Sequence, residues 1–144
     1  MSLPEEASMS IDTYNTLAMI RPGASAHYNL DWIERLAREV AQSGSTTVTR
    51  KPAFPRGHYI CLVRDGVELS IGYSDEPHVA LESEEIATNY GAPCHGSRAR
   101  FELLGSDRDL VLMNDHLLIC ERLHKTGDFV LFSGQAGLLF EDEA

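Results

Sequence analysis

No stretch of this chain approaches the roughly 20 consecutive apolar residues that a membrane helix needs, so no helical span is expected. Cysteine is scarce. The three residues, Cys61, Cys94 and Cys120, are odd in number and widely spaced, with no CxxC pair and no disulfide framework. Reduced thiols in a cytoplasm are the simplest expectation. The opening MSLPEEASMS has neither a basic n-region nor an apolar h-region; it reads as a loose tail over residues 1–12 and not as a secretory signal. Residues 1–3 could be an added remnant, with Met9 as an alternative start. Signature motifs are missing too. GxxxxGK, a strand-linked GxGxxG, GxSxG and HExxH do not occur, and no cofactor or metal is expected.

Lys and Arg are missing where acids concentrate. Residues 1–60 carry six acids and six bases, whereas residues 61–144 carry 16 acids and six bases, so the net charge of −10 lies wholly in the second part. Between Asp65 and Ser97 there are seven acids and no Lys or Arg. Nucleic acid and anionic membranes are poor partners for such a surface, and a basic protein is a good one.

What is present is a globular pattern. A chain of 144 residues, 43% hydrophobic and 24% charged, is expected to form one domain, here placed at 13–141. Its best-specified stretch is His58–Ser74, HYICLVRDGVELSIGYS. Asp65-Gly66 suits a two-residue type I′ turn, which fixes the register. Arg64 then faces Val67, Leu62 faces Leu69, Ile60 faces Ile71 and His58 faces Tyr73. On the other face Val63 meets Glu68, Cys61 meets Ser70 and Tyr59 meets Gly72. The aliphatic set wants a core and the mixed set tolerates water.

Around this hairpin, residues 13–20 read as a strand. Residues 30–43 read as a helix with Ile33, Leu36, Ala37, Val40 and Ala41 on one stripe. Asp31 with Glu34 has capping-box spacing, Asn29 is a rival N-cap, and Gly44 suits the end. Trp32 lies beside the stripe and is read as core packing. Thr46–Lys51 reads as an edge strand closed by Pro52 and Pro55. A short helix is expected over Ser83–Tyr90, capped by Ser83 and ended by Gly91, with Glu84 and Glu85 in its first turn. Arg98–Leu104 alternates as a half-buried strand. Asn114–Lys125 reads as a helix ended by Gly127, and residues 129–132 with 138–140 as a closing hairpin. The fold class is α+β, a mainly antiparallel sheet of five to seven strands with two or three helices on its apolar face.

Two strings invite a chemical reading. Cys94 and Arg100 have the C-x5-R spacing of cysteine-dependent phosphatases, in which loop amides and the Arg hold phosphate around a thiolate. That chemistry needs a strand before the Cys and a helix at the Arg; here Ala92-Pro93 precedes and a strand follows. His116, Cys120 and His124 fall on one helical face, but the two histidines would lie roughly 12 Å apart along the axis, too far to share an ion. Asp107-Arg108-Asp109 lacks the EF-hand ladder.

The acidic run then carries the functional expectation. Asp65, Glu68, Tyr73, Asp75, Glu76, Glu82, Glu84 and Glu85 are the candidate partner-binding residues, carboxylates with an aromatic anchor interleaved. The stretches VELSIGYSDEPHVALESEEIATNYG, RARFELLG and NDHLLICERL, spread over residues 59–141, resemble an α+β family of immunity proteins from bacterial polymorphic toxin systems. The resemblance implies a non-enzymatic inhibitor that binds one cognate toxin, often a basic nuclease or another cytoplasm-acting enzyme. A phosphatase-like hydrolase using Cys94 and Arg100, and a structural or oligomer-forming module using the Thr46–Lys51 edge, are the alternatives. Oligomeric state stays open between monomer and dimer.

Overall fold

A computed structural model describes residues 13–24, 28–41 and 45–140. The expectations for the N-terminal tail, for Gly44 and for residues 141–144 lie outside these. Seven strands form one antiparallel sheet in the order β2-β3-β4-β5-β1-β6-β7. They are β1 (Tyr14–Ile20), β2 (Thr47–Pro52), β3 (His58–Arg64), β4 (Val67–Ser74), β5 (Arg100–Gly105), β6 (Phe129–Ser133) and β7 (Gly137–Leu138). Three helices join them: α1 (Leu30–Val40), α2 (Pro77–Tyr90) and α3 (Met113–Thr126). The fold is α+β, as the alternating patterns require.

The β3–β4 hairpin has the expected turn and register. Asp65 and Gly66 both take positive φ, 51° and 79°, as a type I′ turn demands. Arg64 pairs with Val67, Val63 with Glu68, Leu62 with Leu69, Cys61 with Ser70 and Ile60 with Ile71. The ladder ends there. The expected His58–Tyr73 and Tyr59–Gly72 pairs do not extend it. On their other sides Gly72 and Tyr73 pair with Glu102 and Phe101 of β5, and His58 and Tyr59 with Pro52 and Lys51 of β2.

Because side chains alternate along each strand, this register sends Ile60, Leu62, Leu69, Ile71, Phe101 and Leu103 to one face, where each is fully buried. α1 and α3 cover that face. Ile33, Leu36, Ala37 and Val40 from α1, and Ile119, Cys120 and Leu123 from α3, join the same core. Trp32 packs there as expected, half-buried, its ring edge-on to Tyr28 and stacked with Phe101 and Phe129. Asn29, not Asp31, caps α1, its side chain accepting from the Trp32 amide at 2.9 Å. Asp31 is instead turned to Arg50 of β2, with Glu34 beside it.

The third helix sits elsewhere. α2 crosses the opposite face, where Ile86 and Ala87 pack with Met19, Val130, Ala92 and Cys94 in a second, smaller cluster. α2 also starts six residues earlier than its expected N-cap. Pro77 stands at the first helical position, where its fixed φ suits a helix start and its missing N–H is not needed. Ser83 is therefore no cap; it lies mid-helix, buried against the sheet. Glu84 and Glu85 sit in the helix interior, not in its first turn. Gly91 ends the helix at φ 68°, as expected.

Gly66 shows how much depends on the turn. A Cβ there would meet nothing within 4 Å, so Gly66→Ala adds only backbone strain. It is expected to lower stability by about 1–2 kcal/mol, read as a shifted midpoint with unchanged slope in urea unfolding.

Candidate functional site

The candidate acids do not form one patch. Asp65 sits in the turn at the β3–β4 tip. Asp75 and Glu76 follow the opposite end of β4, roughly 25 Å away along the strand, about three Debye lengths at physiological salt. Glu68 goes with the tip. It lies on the face opposite the main core, where Lys51 of β2 neutralises it at 3.5 Å. Tyr73 is at the far end but turned to the core face, edge-on to Phe101 with ring centroids 5.8 Å apart; burial, then nearby Asp75, raises its pKa. The expected eight-residue surface is therefore corrected to a smaller one: Asp75, Glu76, Glu82, Glu84 and Glu85, on α2 and the turn before it.

Arg100 fixes this smaller surface. It projects from β5 toward α2 and is almost fully buried. Its guanidinium donates to Glu82 at 2.7 Å and to Glu102 at 2.8 Å, tying helix to sheet by a fork that Lys could not replace. Glu84 is held a second way. It accepts from the Gly96 amide at 2.6 Å and pairs with His95 Nδ1 at 2.6 Å. The His95 contact, then the Gly96 amide, holds its carboxyl below the usual range, so it stays ionised. Asp75, Glu76 and Glu85 meet no Lys or Arg among the described residues. Leu81 is 68% exposed, one helical turn before Glu85. The sequence reading missed Leu81, because the helix was expected to begin only after it.

The Cys94–Arg100 pair does not build a phosphate cradle. Cys94 is fully buried in the α2 cluster, and its thiol donates to the Ser83 carbonyl at 3.4 Å. Burial, reinforced by Glu84, pushes that thiol up, the reverse of what a thiolate nucleophile needs. Arg100 is committed to two carboxylates, and a strand, not a helix, begins there.

The α3 histidines part company, as the axial spacing implies. His124 is exposed and stacks on Phe140. His116 is buried, stacked on Tyr14, with Nε2 3.1 Å from Thr16 Oγ1 and 3.7 Å from Cys120 Sγ. Its Nδ1 has no partner among the described residues. Burial lowers the imidazole pKa from 6.5 to about 4 and raises the Cys120 thiol to about 12. A neutral imidazole and a protonated thiol are packing groups here. Among the described residues, no three His, Cys, Asp or Glu come together as metal ligands, and no helix is long and apolar enough to cross a membrane. Asp107, before α3, accepts from the Tyr14 hydroxyl and from the Val111 and Leu112 amides, so it is a structural cap, not a cation ligand. Comparison with known proteins finds no matching family model, no matching curated protein and no matching solved structure.

Two outcomes are expected. Arg100→Met leaves Glu82 and Glu102 facing each other without a cation and should cost about 2–4 kcal/mol; adding Glu82→Gln and Glu102→Gln should restore part of it in chemical denaturation. His116 binds its proton less readily folded than unfolded, so protonation favours the unfolded chain. Stability should fall as pH drops from about 6.5 toward about 4, by up to about 1.4 kcal/mol per pH unit. His116→Gln should flatten that slope in a pH series of melts.

Proposed function

We propose that this chain is a non-enzymatic binding protein of the immunity type, which neutralises a basic toxin domain by docking it on α2. The observation that carries the reading is the outer side of that helix. Among the described residues Asp75 and Glu85 meet no cation and Glu76 meets only His78, at 3.9 Å; Leu81 is exposed one helical turn before Glu85, and Arg100, His95 and Gly96 hold the neighbouring Glu82 and Glu84 in place. An apolar anchor inside a charged rim is the usual anatomy of a protein interface. Fixed negative charge speeds encounter with a basic partner. The resemblance of residues 59–141 to immunity proteins supplies the partner class, and a reduced cytoplasm suits three buried free thiols.

The hydrolase reading lacks an accessible thiolate at Cys94. The oligomer reading has an open edge at β2, the outermost strand, but Lys51 and Pro52 on it discourage edge pairing.

The test is binding to the product of the gene immediately upstream, which this reading expects to end in a basic domain. A stable one-to-one complex is expected, with an association rate that falls steeply between about 0.1 M and about 1 M salt. Leu81→Asp should weaken it by about tenfold or more and Glu85→Lys should slow association, whereas Asp65→Asn at the distant tip should change little. A salt-independent rate, or loss of binding in Asp65→Asn alone, would refute the placement on α2.

A further inference from the structure

On the main-core side of the sheet, the packing groups of α3 also form the floor of a cleft. Tyr14 and Thr16 of β1 face that side, and Ser133 of β6 lies directly opposite Thr16 on the same face. α3 brings His116 and Cys120 against them. His116 stacks on Tyr14 with ring centroids 4.7 Å apart. Its Nε2 lies 3.1 Å from Thr16 Oγ1 and 3.7 Å from Cys120 Sγ. All five side chains are buried, and they line a cleft of about 320 Å³. Leu117 and Phe140, both partly exposed, form its rim.

No Lys, Arg, Asp or Glu lines this cleft. The carboxylates around α3 are turned elsewhere. Asp107 accepts from the Tyr14 hydroxyl and the Val111 and Leu112 amides. Asp115 accepts from the Thr46 hydroxyl at 3.0 Å and faces Arg64 at 3.8 Å. A charged ligand would leave water here without a counter-ion, which is costly, whereas an apolar one gains by burial. The cleft is not wholly apolar, however. His116 is 7% exposed, and its Nδ1 has no partner among the described residues; a buried polar atom in that state calls for a reason. The Thr16 hydroxyl keeps hydrogen-bonding capacity beyond its His116 contact. The walls suit a flat molecule: the Tyr14–His116 stack below, and above it the Phe140 ring, itself stacked on His124 with centroids 4.6 Å apart. The volume is at the small end of ligand sites and has room for one or two rings.

We infer that this cleft binds a small, uncharged aromatic molecule carrying a single hydroxyl or N–H group, its ring between the Tyr14–His116 stack and Phe140 and its polar group at His116 and Thr16. The site lies across the sheet from α2 and does not rest on the docking function.

Phenol, toluene and benzoate serve as probes, titrated at neutral pH into the full chain labelled with nitrogen-15. Phenol is expected to shift the amides of Leu117, Ser133 and Phe140 and the ring nitrogens of His116 saturably. Toluene, of the same size without the hydroxyl, should bind about fivefold more weakly and leave the ring nitrogens in place. Benzoate should not saturate. Leu117→Trp narrows the entry from an exposed position and should weaken phenol by about tenfold; unchanged amide spectra away from α3 verify its fold. Thr16→Val should bring phenol down to the affinity of toluene. Absence of saturable shifts in the full chain would overturn the site, whether the cleft is closed or residues 1–12 occupy it. Undiminished binding by Leu117→Trp would overturn its location, and equal binding of benzoate its neutrality. Equal binding of toluene would overturn the role given to His116 and Thr16.

Discussion

The register set by two residues with positive φ, Asp65 and Gly66, is the constraint on which the rest depends. A slip of one position would exchange the two faces of the hairpin. Ile60, Leu62, Leu69 and Ile71 would leave the core beneath α1, and Glu68 would enter it. With the register as it is, Ile71 lies beside Leu103 and Leu103 beside Thr16, so each neighbouring strand inherits its facing from this turn. The sheet thus presents an aliphatic face to α1 and α3. The reverse face carries an unusual mixture: Met19 and Val130 under α2, and Arg100, Glu102, Ser70 and Glu68 farther along.

That mixture determines how α2 can sit. Its inner side is weakly apolar, with Val79, Ile86 and Ala87 for contacts, and its cluster is much smaller than the main core. Arg100 compensates. A nearly buried guanidinium held by Glu82 and Glu102 gives the helix a directional tie that side-chain packing alone would not. A buried ion pair adds little net stability over an apolar replacement, so its contribution here lies in the direction it gives the helix. The result is a helix whose free carboxylates have a set position, which is what electrostatic recognition requires.

Much of this was legible in the sequence, for physical reasons. A two-residue turn and strict alternation leave one register, so five hairpin pairs follow from His58–Ser74 alone. The α1 stripe and the glycines after α2 and α3 are equally direct. The start of α2 was not legible. Pro77 can open a helix or end a turn, and Ser74-Asp75-Glu76-Pro77 reads as a turn until β4 is seen to end at Ser74. That single error hid Leu81 and made Glu84 and Glu85 look like capping charges. The acidic run misled in another way. Closeness in sequence is closeness in space only within a helix or a turn, and an extended strand of eight residues carried Asp65 far from Asp75. That Arg100 is covered was not legible, because alternation gives the face but not what packs on it.

We propose that recognition is confined to one end of the acidic stretch, α2 and the turn before it. Carbodiimide labelling of carboxyl groups, read by mass spectrometry on the free chain and on its complex with the proposed basic partner, tests this most directly. Asp75, Glu76 and Glu85 should lose their labelling in the complex while Asp65 stays reactive. Protection of Asp65 with Glu85 still open would contradict it.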